Sequence, residues 1–216
     1  MEWRLLEDVP AEQVRELMRV ARRRRFSRNA IVFHRDDPGD SLHLIVKGRF
    51  AIQVMTPLGD TATIAIRGPG ESFGEMALMD GARRSATVLA VQESETLSIY
   101  KREFDRLRHE HAAVNDAVIQ FLAGEVRMLN ERLLEALYMP VERRVLRRLA
   151  ELGSLYTEPD GTAEVTLTQE AIAELAGATR PTVNRVLRDE ADRGLIELMR
   201  GRIRILDLDG LRHRAR

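Results

Sequence analysis

Three side chains of the types that recognise ligands stand close together in a stretch that is otherwise small, apolar and turn-forming. Glu75 lies in Phe73-Gly74-Glu75-Met76-Ala77-Leu78, and Arg84-Ser85-Ala86 follows shortly after. A Gly-Glu turn lets backbone come close to a ligand, because glycine has no side chain to block the approach. The Glu75 carboxylate can accept a hydrogen bond from a sugar hydroxyl. The Arg84 guanidinium is a planar fork that matches phosphate oxygens, and Ser85 adds a further donor. Together these groups suit a compact, singly charged sugar-phosphate. A surface turn carrying an Arg-Glu pair is the plainer alternative for an isolated Gly-Glu and Arg-Ser.

A second stretch carries recognition chemistry of another kind, from Thr168 to Leu187. Thr168 caps a short helix whose Ala171, Ile172 and Leu175 face inward. Gly177 supplies a left-handed turn. Thr179 then caps a second helix, with Pro181 in its first turn and Val183, Val186 and Leu187 packed inward. This is a helix-turn-helix whose second helix presents Arg180, Thr182, Asn184, Arg185 and Arg188 outward. Any tight helical pair would share part of the pattern. The turn chemistry, the early polar side chains and the hairpin that follows, Leu195-Ile196-Glu197-Leu198 to Arg202-Ile203-Arg204-Ile205-Leu206, favour a winged DNA-binding unit. Arg180 and Arg185 are the candidates for reading guanine, while Thr182 and Asn184 share backbone and base contacts. Thr168, Thr179, Arg188 and Arg202 complete the DNA-binding set.

These two sites need elements to hold them. Ala11 to Ala21 carries Val14, Leu17, Met18 and Ala21 at helical spacing, after Pro10 at the tolerated start of a helix. The run Arg22 to Arg25 reads as the solvated, cationic end of that helix. Between Ala30 and Tyr100 the pattern becomes short β-type runs with turns: Ile31 to Phe33, Leu42 to Val46, Phe50 to Val54, Thr61 to Ile66, Thr87 to Val91 and Leu97 to Tyr100. Such a series predicts an antiparallel jelly roll or barrel. Ala112 to Ala136 reads as one long helix. Its Ile119, Leu122, Val126, Leu129, Leu133 and Ala136 step by three and four, the seam of a two-stranded coiled coil. A second stripe of Val118, Phe121 and Met128 would face the barrel. Pro140 ends the helix, and Tyr138 to Val141 forms the hinge. Arg144 to Leu152 opens the last domain as another amphipathic helix, before the polar loop Glu158-Pro159-Asp160-Gly161.

The chain of 216 residues has no net charge, so any basic patch that meets nucleic acid must be local. Nearly all the positive charge is arginine, with Lys47 and Lys101 the sole lysines. The absence of cysteine excludes disulfides, cysteine-ligated clusters and thiol redox sensing within the chain. No signal-type or bilayer-length apolar run is present, and a cytoplasmic location is expected. Jelly rolls also host metal enzymes. His34 and His43 stand alone, and His109 and His111 lie in a charged helical stretch, so no His-X-His followed by a nearby carboxylate falls inside a strand, as such a centre needs, and no metal is expected.

The order and spacing from Gly70 to Ala90 resemble the phosphate-binding cassette of cyclic-nucleotide-binding domains, and Gly39-Asp40 with Leu42 to Gly48 extends the likeness over the barrel. Barrel, long helix and winged helix-turn-helix, in that order, resemble the cyclic-AMP receptor protein (Crp/Fnr) family of bacterial regulators over essentially the whole chain. The resemblance implies an α+β fold with three parts: a sensor domain over 1–111, a dimerisation helix over 112–137 and a DNA-binding domain over 138–216. It implies a homodimer on near-palindromic double-stranded DNA, gated by a cyclic nucleotide, with no catalysis. Gly74, Glu75, Arg84 and Ser85 match the family's sugar and cyclic-phosphate contacts. Cyclic AMP is the effector implied first, and cyclic GMP is the alternative. RNA polymerase is a candidate partner, with 155–162 as the contact loop by family position.

Two departures stand out. Counting back from Arg144, the family's adenine-contacting Thr-Ser pair falls at Leu129-Asn130. Asn130 can still hydrogen-bond a base, whereas Leu129 cannot. Pro181 stands where receptors close to the prototype carry a base-reading glutamate. A constitutive DNA-binding protein with a relic pocket, a sensor of another effector such as haem, and a metal-dependent jelly-roll enzyme are the competing classes.

Overall fold

The computed structural model describes residues 2–57, 59–157 and 163–216. They form two compact units, Met1–Leu129 and Asn130–Arg216. The first unit opens with a 3-10 turn, Arg4–Leu6, and helix α1, Ala11–Val20. Strands follow: β1 (Arg22–Phe26), β2 (Ile31–Phe33), β3 (Ser41–Lys47), β4 (Phe50–Met55), β5 (Thr61–Arg67) and β6 (Ser72–Phe73). Then come helix α2 (Glu75–Asp80), strands β7 (Thr87–Ala90) and β8 (Ser94–Tyr100), and helix α3 (Lys101–Glu110).

The strands make two four-stranded antiparallel sheets, ordered β1-β8-β3-β6 and β2-β7-β4-β5. This is the sandwich that the short alternating runs require. Inward residues Ile45, Phe50, Phe73, Val88 and Ala90 fill its interior. A second core lies where α1, α3 and the chain start pack on it, with Trp3, Leu17, Leu42, Leu44, Ile99, Phe104 and Leu107 buried together.

The run Arg22 to Arg25 is strand β1, not a helix end: α1 stops at Val20 and the backbone is extended from Ala21. Strand geometry sends alternate side chains to opposite faces. It lets Arg23 and Arg25 share Glu95 and puts Arg22 over the Tyr100 ring.

Helix α4 runs unbroken over Ala112–Tyr138. Its Val114, Ala117 and Val118 are buried in the second core, with Phe121 and Leu122 packed against it. Leu122, assigned above to the outer seam, thus belongs to the inner face. Ile119, Val126, Leu129 and Leu133 are each more than half exposed.

The second unit contains α5 (Val141–Tyr156), β9 (Ala163–Val165), α6 (Gln169–Ala176), α7 (Arg180–Asp192), β10 (Ile196–Met199), β11 (Arg202–Ile205) and α8 (Leu208–Arg214). Its sheet is ordered β10-β11-β9. Val145, Leu149, Ile172, Val183, Leu187, Ile196 and Leu211 are buried. The end of α4 is fixed to α5 by a buried ion pair, Glu135 with Arg148, to which Arg147 and Glu151 add.

Arg144 acts as a clamp. Its Nε and Nη2 donate to the carbonyls of Ala176 and Gly177 at 3.0 Å each, and Nη1 donates to Met139 at 3.0 Å and Ala136 at 3.4 Å. One guanidinium therefore caps the carbonyl ends of α4 and α6 together. Residues 158–162 of the polar loop lie outside the described residues, as does Leu58 in the Pro57-Leu58-Gly59-Asp60 turn.

Candidate functional site

Strand β6 delivers the chain to Gly74, which sits at φ +89° as the N-cap of α2. A Cβ built there would lie 2.7 Å from Arg84 Nη1 and 2.9 Å from the Ser41 carbonyl oxygen. The position needs glycine twice, for its left-handed backbone and for the space. The guanidinium of Arg84 fills that space. Arg84 is 3% exposed. Its Nη1 donates to the Gly74 carbonyl at 2.9 Å, and Nη2 donates to Asp40 Oδ1 at 3.2 Å and Ser41 Oγ at 3.1 Å. The Phe33 ring lies beneath it, with its centroid 4.0 Å from Cζ.

Three of five N–H donors are thereby used. The buried Nε has no partner among the described residues. Burial pulls the Arg84 pKa down, and Asp40 offsets part of that by charge and hydrogen bond. The group stays a cation.

Glu75 opens α2. Its Oε2 is buried with no hydrogen-bond partner among the described residues. Burial pushes its pKa up, while its own backbone amide, Arg67 and Arg84 hold it down and Glu125 adds a further upward push. Arg67 bridges Glu71 at 2.8 Å and Glu125 of α4 at 2.6 Å, and Arg4 reaches Glu125 at 3.1 Å. Ser85 is exposed, and its hydroxyl lies 3.8 Å from Met76 Sδ.

Gly74, Glu75, Arg84 and Ser85 are thus gathered at one turn, with an unpaired buried acceptor and an unpaired buried donor among them. Asn130 is exposed on α4 and falls in the second unit. Sequence reasoning missed Phe33, Asp40, Ser41 and Arg67 as the setting of this turn. The Gly39-Asp40 dipeptide was the one local signal that could have pointed to Arg84's partners.

His43 is buried in the sandwich, its ring stacked on Phe73 at 4.9 Å and 7°. Glu16, Glu110 and His111 bring potential ligand atoms within 4.8 Å of one another. Arg106 Nη1 already donates to both carboxylates, at 2.9 and 3.0 Å, and supplies the positive charge there.

In the second unit, Thr168 Oγ1 accepts from the Ala171 amide at 3.1 Å and Thr179 Oγ1 from the Thr182 amide at 3.4 Å. Gly177 sits between the two helices at φ +57°. Both threonines are therefore engaged as caps. Arg180, Thr182, Asn184, Arg185 and Arg188 lie on α7, where Asn184 Nδ2 donates to Gln169 at 3.1 Å and Arg185 pairs with Glu142 at 2.8 Å. Arg202, at the start of β11, pairs with Glu164 at 2.9 Å. The two ion pairs are exposed and each is easily exchanged for a phosphate or a base edge, whereas the Asn184–Gln169 bond is half-buried.

Residues 23–111 match the cyclic nucleotide-binding domain family, and residues 143–214 match the Crp-like helix-turn-helix domain. The chain is 32% identical to the CRP-like cAMP-activated global transcriptional regulator of Mycobacterium tuberculosis, over 88% of this chain and 87% of that one. The chain belongs to the Crp family of transcriptional regulators. This Crp-family regulator is also 28% identical to the cyclic AMP receptor protein of Thermus thermophilus, over 93% and 91% of the two chains. The crystal structure of the Thermus thermophilus catabolite activator protein matches it with a TM-score of 0.57 at 27% identity, covering 98% of each chain. The family is one of DNA-binding regulators, not enzymes. Helices α6 and α7 of this regulator, with the turn at Gly177, accordingly lie within its Crp-like helix-turn-helix domain.

Proposed function

We propose that this Crp-family regulator is gated by a cyclic nucleotide, cyclic AMP before cyclic GMP, and binds near-palindromic DNA as a homodimer. One observation carries the reading. Arg84 is buried and braced on three donors, and keeps Nε–H unpaired next to the glycine cradle and the orphan carboxylate oxygen of Glu75. A cyclic phosphate supplies acceptors for the first, and a ribose hydroxyl supplies a donor for the second. Burial makes both exchanges worth more than at a surface. Glu75 and Arg84 would hold sugar and phosphate, with Gly74 allowing close approach and Ser85 adding a hydroxyl at the rim. Asn130 would meet the base.

The exposed apolar stripe Ile119, Val126, Leu129 and Leu133 supports α4 as the contact between two copies. A two-fold dimer places α7 of each copy in major grooves roughly 34 Å apart. Arg180, Thr182, Asn184, Arg185 and Arg188 would then face the groove, with Thr168, Thr179 and Arg202 near the phosphates. The ligand shifts the regulator toward DNA binding only if it binds the competent state better.

Calorimetric titration with cyclic AMP and cyclic GMP, repeated on Arg84→Lys, tests the reading. Micromolar or tighter binding of one nucleotide, lost when the fork becomes a point charge, is expected. Operator binding with no response to either nucleotide would place the chain in the constitutive class instead.

A further inference from the structure

Beneath Arg84 lies a chain of buried polar groups that the ligand contacts do not account for. Ser41, His43, Arg84 and Thr96 are each less than a tenth exposed. Their positions follow from the sheet: His43 lies opposite Phe73 on β6 and Ser98 on β8, next to Thr96. Ser41 Oγ meets three groups, Asp40 Oδ1 at 2.8 Å, Arg84 Nη2 at 3.1 Å and His43 Nε2 at 3.4 Å. On its other side His43 Nδ1 lies 3.0 Å from Thr96 Oγ1.

The protons can be assigned by elimination. Asp40 is an acceptor, so the single Ser41 proton goes to it. Arg84 has only donors, so the serine oxygen must accept from Nη2. The remaining lone pair of Ser41 can satisfy His43 only if Nε2 carries a proton. Nδ1 then accepts from the Thr96 hydroxyl. Every bond in the chain is satisfied by a neutral imidazole; burial first, then the nearby cations Arg84 and Arg24, oppose a charged one against a smaller pull from Asp40.

We propose that Ser41 and His43 are positioning residues for Arg84: a neutral imidazole protonated on Nε2 fixes the Ser41 hydroxyl, and that hydroxyl fixes the Nη2 end of the phosphate-facing fork. This rests on the reading of Arg84 as the phosphate contact. A guanidinium tethered at Nη1 by Gly74 and at Nη2 by Asp40 and Ser41 cannot turn in its plane. Its Nε–H is therefore aimed before any ligand arrives. Asp40 is largely exposed and holds its end weakly, so the buried serine is the firmer anchor.

The experiment uses the full chain and has two arms. In ligand-free protein, nitrogen-15 NMR reads the His43 ring directly, with its signals assigned by their loss in His43→Gln, and the Arg84 guanidinium is assigned by its loss in Arg84→Lys. The ring is expected to show a protonated Nε2 and a bare Nδ1, and Arg84 to show slow, resolved Nη signals. In Ser41→Ala and His43→Phe those Nη signals should average, and cyclic AMP binding should weaken about tenfold. His43→Gln, whose amide donates to Ser41 and accepts from Thr96, should restore both.

A ring protonated on Nδ1 alone, or Nη signals indifferent to Ser41→Ala, would overturn the proposal without any need for a variant to bind. Equal damage by Gln and Phe would overturn it as well. Should the wild type bind no cyclic nucleotide while the tautomer and Nη results hold, the positioning chain stands and the ligand reading fails.

Discussion

Replacing Arg144 by alanine removes the clamp that gathers four carbonyl groups from the ends of α4 and α6. Three of these bonds are 3.0 Å long and one is 3.4 Å, so three count fully. A hydrogen bond from a charged donor contributes about 1.5–3 kcal/mol when sheltered. Arg144 is only partly buried, and water can reach some of the released carbonyls, so about 1 kcal/mol per bond is the fair value. The loss should be about 2–3 kcal/mol in the second unit, with the first unit unaffected. Because a chain of two units need not unfold in one step, amide hydrogen exchange is the better assay than a single denaturation midpoint. Amides in α5, α6 and α7 should exchange about a hundredfold faster, by the conversion of about 1.4 kcal/mol per tenfold. Arg144→Lys, a point charge able to satisfy one or two carbonyls, should recover less than half. A change under about 0.5 kcal/mol for Arg144→Ala, or full recovery by lysine, would refute the idea that the fork geometry holds the helix ends together.

The buried His43 sets a pH dependence of stability. Burial, with Arg84 and then Arg24, holds its pKa down to about 3, against an upward pull from Asp40. The unfolded chain takes up that proton near pH 6.5, so the contribution is complete above that value and is lost as pH falls toward 3. Between pH 7 and 5 about 2 kcal/mol should disappear, and urea titrations of His43→Gln should lack that share. Gly74→Ala places a methyl group against the Ser41 carbonyl and Arg84 in a left-handed backbone. It should cost about 2 kcal/mol or more in thermal stability and displace Arg84 from its cradle, seen as lost nucleotide binding. Thr168→Ala and Thr179→Ala each remove a helix cap and should cost about 1 kcal/mol. Because both side chains face their own helix starts, the capping loss should be present equally with and without DNA.

Much of this was legible in the residues. Alternation marks a strand with one face in the core, and Leu42, Leu44, Phe50 and Ile52 show it plainly. The caps at Thr168 and Thr179, with Gly177 between them, place the helix-turn-helix because capping chemistry is local. What escaped depended on distance in sequence. Arg84 finds partners at Gly74, Asp40 and Ser41, and no spacing rule links positions ten and forty-odd residues apart. His43 reads as a lone histidine until β3 brings it against β6 and β8. Strand β1 was hidden by its own composition, since four arginines in a row have no apolar period. Helix α8 is short and carries Gly210, so its Asp207 cap, accepting from the Gly210 amide at 2.8 Å, is the only sign of it.

That arginine strand has a consequence for how the sandwich survives in a crowded solution. β1 forms the border of its sheet, where backbone groups on the outer side have no neighbouring strand among the described residues. Such a border is a template for growth, and a second chain of the same protein is the most available material to extend it. Arg22, Arg23, Arg24 and Arg25 are all exposed along it, about 3.3 Å apart in rise. Two such borders meeting side by side would bring eight guanidinium groups together, and among the described residues the two Glu95 carboxylates are the ones paired with them. Repulsion between the rows keeps each sandwich from adding itself to the next, so any contact between copies would have to use surfaces other than this one.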